Sequence, residues 1–154
     1  MKLSVRRIVL LVLSIFVLGF GLYNIISAIV ELPSVREQVL GMFSDPQISS
    51  AIPDPEKIVS VVLGITIAIA CLVCAFYLAT GILGLLASLG KYKGSAHIIL
   101  TWIYLILCAL GLIITIVGLV KGSPFDWTII LSILEVAVAI TFIIIAKQIK
   151  EEEY

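Results

Sequence analysis

The residue in this sequence best suited to chemistry is a glutamate in an apolar setting. Glu135 lies in ILSILEVAVAI, residues 130–140, an otherwise almost wholly apolar stretch. A carboxylate within a hydrocarbon layer costs roughly 2.5–3.5 kcal/mol even on lenient insertion scales. It must therefore face other helices, find a hydrogen-bond partner or carry a proton. The second suggestive spacing is Cys71-x-x-Cys74, a dithiol pattern, with Cys108 further along. All three cysteines fall inside apolar runs, and no exterior cysteine pair is present to relay electrons. They are expected to pack as small hydrophobes, and no metal site or cofactor is expected. His97, beside Lys91 and Lys93 in a short turn, reads as an ordinary interfacial residue. The sequence contains no glycine-rich phosphate loop, metalloprotease helix, nucleophile elbow or haem-attachment motif. One carboxylate without a base, nucleophile or metal is a poor catalytic set.

The elements that must position Glu135 follow from composition. Of 154 residues, 62% are hydrophobic and 13% charged, with a mean hydropathy of +1.26. So few charges cannot cover a soluble domain, and the apolar runs are long enough to cross a hydrocarbon core of roughly 30 Å. The formal net charge is zero and the basic residues are scattered, which excludes a nucleic-acid surface. The expected fold is all-α, a single polytopic membrane domain over residues 1–154 built as an antiparallel bundle of four transmembrane helices.

The spans are expected at about 8–30, 59–89, 98–120 and 127–146, followed by a charged tail at 147–154. The first run is too long for a signal-peptide core, and ISAIVEL is a poor cleavage site, so it is expected to be a retained span. Between the first two spans lies an exterior segment, 31–58. Pro33 can start a short amphipathic helix there, with Val35, Val39 and Met42/Phe43 on one side. Asp45-Pro46 is expected to end it, and Pro53-Asp54-Pro55 to make a stiff turn. The links GKYKGSAH and KGSPFD are short enough to force neighbouring spans side by side. Lys2, Arg6, Arg7, Lys91, Lys93, Lys147 and Lys150 share one side, against Arg36, Lys57 and Lys121 on the other. That asymmetry places both termini in the cytoplasm, with Phe125 and Trp127 at the outer interface, and the lack of exterior cysteines fits a bacterial plasma membrane.

Small residues recur at the three- and four-residue spacing that lets helices approach closely. Gly64-x-x-x-Ala68, Gly81, Gly84, Gly111-x-x-x-Thr115 and Gly118 are the expected packing positions. Glu135 lies about 12 Å below the outer end of its span, counting 1.5 Å per residue from Trp127. Asn24, Thr66 and Thr115 fall at comparable depth on the other spans. With Glu135 they form a candidate intramembrane polar network or ion site. Such a network can fix helix register, pair with a partner or second copy, or bind a proton or cation.

Residues 81–113, GILGLLASLGKYKGSAHIILTWIYLILCALGLI, resemble small uncharacterised four-span membrane proteins of Gram-positive bacteria. Those proteins share the glycine-spaced span, short basic turn and second glycine-containing span, and Ser44-Asp45-Pro46 in the first exterior loop fits them too. The resemblance implies the architecture and no particular chemistry. Asn24 and Glu135 also resemble the polar positions of tetraspanins, whose large cysteine-bearing loop corresponds here only to KGSPFD. Claudin-like proteins are similar in carrying the larger loop first, but residues 31–58 lack their tryptophan and cysteine pair. Both are likenesses of architecture.

The expected function is that of a small integral membrane interaction or accessory protein. Its helices dock to a partner membrane protein or to another copy of the chain, with membrane lipids around them. The alternative is a proton- or cation-coupled transport component using Glu135.

Overall fold

The computed structural model describes residues 4–43, 54–122 and 124–152. They form four α-helices: α1 (Val5–Met42), α2 (Pro55–Ser88), α3 (Ala96–Val120) and α4 (Trp127–Glu152). Each is long and apolar enough to cross a bilayer. The chain is a multi-pass bundle of apolar helices.

Local chemistry sets the helix ends. Asp54 caps α2, its Oδ1 accepting the Lys57 N–H at 3.3 Å. Pro55 then occupies the first helical position, where its missing N–H removes nothing. The C-terminus of α2 closes through Lys91 N–H to Leu86 O at 2.8 Å and Gly90 N–H to Ala87 O at 3.0 Å. This double closure needs a left-handed residue, and Gly90 has φ +70°. At the start of α4, the Asp126 carboxylate accepts the Trp127 N–H at 2.6 Å.

The first helix departs from expectation. Residues 31–42 are not a separate helix started by Pro33; they continue α1, and Pro33 lies inside it. An interior proline removes one backbone hydrogen bond and crowds the preceding turn. The helix formers after it, SVREQVLGM, carry α1 onward. At 38 residues, α1 is about 57 Å long, far more than a hydrocarbon core requires. Asp45-Pro46 and Pro53 lie outside the described residues.

Packing divides the chain into two compact units, one of residues 1–21 with 76–154 and one of residues 22–75. In the first, every helix supplies a stripe of buried residues at three- and four-residue intervals. These are Leu10, Ser14 and Val17 on α1, and Tyr77, Thr80, Gly84 and Ala87 on α2. On α3 they are His97, Thr101, Tyr104 and Cys108, and on α4 Val138, Phe142, Ala146 and Ile149. Such a spacing is what an apolar seam on a 3.6-residue helix requires. Two hydroxyls on the stripes bond within their own helices, Ser14 Oγ to Leu10 O at 2.7 Å and Thr101 Oγ1 to His97 O at 2.6 Å, whereas Thr80 Oγ1 is buried with no hydrogen bond among the described residues. The two bonds satisfy their hydroxyls without a partner helix.

Three glycines set how closely the backbones approach. A Cβ on Gly21 would stand 2.8 Å from Tyr77 Cβ, and one on Gly81 2.5 Å from Leu18 Cγ. A Cβ on Gly84 would overlap Ser14 Oγ and stand 2.5 Å from Phe142 Cζ. Gly84 is therefore where α1, α2 and α4 meet. The second unit holds the remainders of α1 and α2. There Ser60 Oγ and Thr66 Oγ1 bond to Glu56 O and Val62 O, each at 2.9 Å.

Candidate functional site

The buried stripes of α2, α3 and α4 bring four chemically able side chains together in the first unit. Tyr77 comes from α2, Tyr104 and Cys108 from successive turns of α3, and Glu135 from α4. Tyr77 Oη donates to Glu135 Oε2 at 3.3 Å. Cys108 Sγ approaches the same oxygen at 3.8 Å and lies 3.8 Å from Tyr77 Oη. The larger sulfur radius makes these contacts compatible with weak hydrogen bonds. One carboxylate oxygen thus receives donors from two other helices.

The rings of Tyr77 and Tyr104 pack edge to face, with centroids 4.7 Å apart at 74°. That geometry sets the positive rim of one ring against the negative face of the other. Tyr104 is fully buried. Its hydroxyl lies near the Cys108 thiol but outside hydrogen-bonding geometry. A hydroxyl buried this way costs about 1–3 kcal/mol relative to a satisfied one.

The cluster can do two things chemically. It ties α4 to α2 and α3 through a polar contact, which fixes rotation and register in a way apolar packing alone does not. It also surrounds an ionisable carboxyl with a phenol and a thiol, groups that can exchange hydrogen-bonding roles as a proton comes and goes. Glu135 is half-buried. All three cysteines are free thiols, Cys71 exposed and Cys74 and Cys108 buried. Among the described residues no group of three His, Cys, Asp or Glu gathers as a metal site.

Thr115 is half-exposed on α3, its hydroxyl bonded to Gly111 O at 2.9 Å. Asn24 and Thr66 belong to the second unit, where Asn24 is half-buried and Thr66 exposed. Tyr77 and Cys108 both meet Glu135, and neither stands out by sequence polarity. The available signal was periodic: Tyr77, Tyr104 and Cys108 occupy the buried stripes of their helices, so donors they carry point inward.

The small residues separate into two sets. Gly81 and Gly84 are closed in by neighbouring helices, whereas a Cβ on Gly64 or Gly111 would meet nothing within 4 Å. Ala68 is exposed and Gly118 half-exposed. Compared with known proteins, the chain matches no protein family, no curated protein and no solved structure.

Proposed function

We propose that this chain is a small integral membrane interaction or accessory protein that docks through its helices to a partner membrane protein or to a second copy of itself. The observation that carries this reading is the open set of small residues, Gly64 and Gly111, beside exposed Ala68 and half-exposed Thr115. Glycine inside a helix costs up to about 1 kcal/mol relative to alanine. A lipid-facing surface gains nothing in return. A helix from another chain gains close backbone approach, and with it dispersion contacts and Cα–H···O bonds. Gly64-x-x-x-Ala68 and Gly111-x-x-x-Thr115, the latter continued by Gly118, are the docking faces. Glu135 holds the first unit in register, with its polar partners inside.

In this reading the four helices act as one membrane domain of antiparallel spans, a layout like that of the small four-span proteins of Gram-positive bacteria. The pairing of Ser95 with Lys150, Trp102 with Lys147 and Cys108 with Glu135 supports opposed directions for α3 and α4. The lysine and arginine asymmetry puts both termini on the cytoplasmic side of the plasma membrane. The helical stretch at 31–42 is then the exterior surface.

Native mass spectrometry from mild detergent tests the docking. Wild type should carry a stoichiometric second chain, either a copy or one defined partner. Gly64→Leu or Gly111→Leu should lose it while helicity by circular dichroism stays unchanged. One partnerless mass for all three proteins would sink the reading. The second reading, a proton- or cation-coupled transport component, is favoured by the two donors on Glu135 Oε2. It requires proton movement across liposomes that Glu135→Gln abolishes.

A further inference from the structure

A separate feature lies at the end of the first unit where α2 gives way to α3. Lys93 of the turn and Lys150 of α4 are far apart in sequence, yet both line one cleft. Tyr92 and His97 add to its polar lining, and Ala87, Ala146 and Ile149 supply apolar lining. Its inner volume is about 10 Å³, room for a single oxygen-sized group.

The polar groups around it are arranged unusually for a helix start. Ser95 is the N-cap residue of α3 but makes no side-chain cap. Its Oγ instead accepts a hydrogen bond from Lys150 Nζ. The Ala96 N–H donates to Tyr92 Oη at 3.3 Å, so the Tyr92 phenol caps the positive end of the 25-residue α3 at the edge of the cleft. Lys147 stands 5.5 Å over the Trp102 ring. Among the described residues, Lys93, Lys147 and Lys150 form no ion pair, and Glu151 is exposed on the tail. Ile99 and Trp102 are exposed on the following turns of α3, which gives an apolar strip running from the cleft past Lys147.

We propose that this cleft binds the phosphate group of an anionic membrane lipid. Lys93 and Lys150 hold the phosphoryl oxygens, one of which enters the cleft, and an acyl chain lies along Ile99 and Trp102. The cations supply charge, the α3 terminus supplies a fixed dipole, and the apolar strip distinguishes a lipid from free phosphate. This inference is independent of the docking proposed above, since Gly64 and Gly111 take no part in it.

The test uses the full chain in mild detergent, with bound phosphatidylglycerol or phosphatidylcholine counted by native mass spectrometry across a titration. Wild type should retain phosphatidylglycerol in preference to phosphatidylcholine. At roughly 1 kcal/mol per lysine near a membrane surface, Lys93→Gln with Lys150→Gln should weaken it about thirtyfold. Lys121→Gln, in the other turn, should change nothing, and Lys150→Arg should keep most of the binding. Lys93→Gln alone, at an exposed side chain, serves if the double variant does not fold. Displacement of the lipid by millimolar inorganic phosphate would assign the site to soluble phosphate groups, and resistance to it would assign the lipid. Equal retention of phosphatidylglycerol by wild type and the lysine variants, or no preference over phosphatidylcholine, would overturn the proposal.

Discussion

Tyr104→Ala should destabilise the protein by about 3–5 kcal/mol, the range for truncating a large buried aromatic side chain. Tyr104→Phe should cost nothing, or stabilise by about 1 kcal/mol. The two expectations rest on different atoms of one residue. The ring has 0% exposure and packs edge to face on Tyr77, so its removal leaves a cavity that neighbouring helices cannot fill. In a bilayer, helix association depends on such dispersion contacts, because lipid tails are as apolar as the helices they would replace. The hydroxyl, by contrast, is buried without a partner, and replacing it with hydrogen removes a desolvation cost while leaving the packing intact. Unfolding in mixed micelles with increasing SDS, followed by circular dichroism, separates the cases. Equal destabilisation by both variants would mean that the hydroxyl is satisfied and the packing argument is incomplete.

Gly84→Leu should be the most damaging glycine substitution, at about 3 kcal/mol or more. The first added carbon already overlaps Ser14 Oγ and stands 2.5 Å from Phe142 Cζ. Neither neighbour can yield cheaply. Ser14 Oγ is bonded to Leu10 O at 2.7 Å, and Phe142 is fully buried. Overpacking a tight core costs about 1–3 kcal/mol for modest insertions, and leucine adds three further carbons. Gly64→Leu, where an added Cβ meets no side chain or other helix within 4 Å, should leave the unfolding midpoint of the isolated chain near wild type. Similar losses for both would contradict the division of the glycines into filled and open sets.

The four helices were legible because uninterrupted apolar runs leave a chain in lipid little choice but helix. The end of α2 was legible at Gly90, whereas its start at Pro55 precedes the expected position 59, because Asp54-Pro55 reads equally as a turn and as a cap. Pro33 misled because a proline suits both a helix start and a tolerated interior position, and sequence alone does not weigh the helix formers after it against one lost hydrogen bond. Glu135 stood out because its cost in lipid is large. Its partners did not, since Tyr77, Tyr104 and Cys108 look like packing residues until three helices are placed in register. Gly64 and Gly84 likewise have the same spacing signal, and only the position of Phe142 shows which of them is filled. The convergence of Lys93 and Lys150 depends in the same way on how α4 lies along α3, which neither segment encodes alone.

The docking reading is tested most directly in the native membrane, before detergent can strip a partner. A photo-crosslinking residue placed at position 68 or 115 of the full chain, beside the open glycines, is compared with one at Ile69 or Ile114, both exposed apolar positions. The expected result is a single protein adduct of defined mass from 68 and 115, with lipid adducts alone from 69 and 114. Lipid adducts alone from all four positions would contradict helix-mediated docking and leave the small residues facing the bilayer.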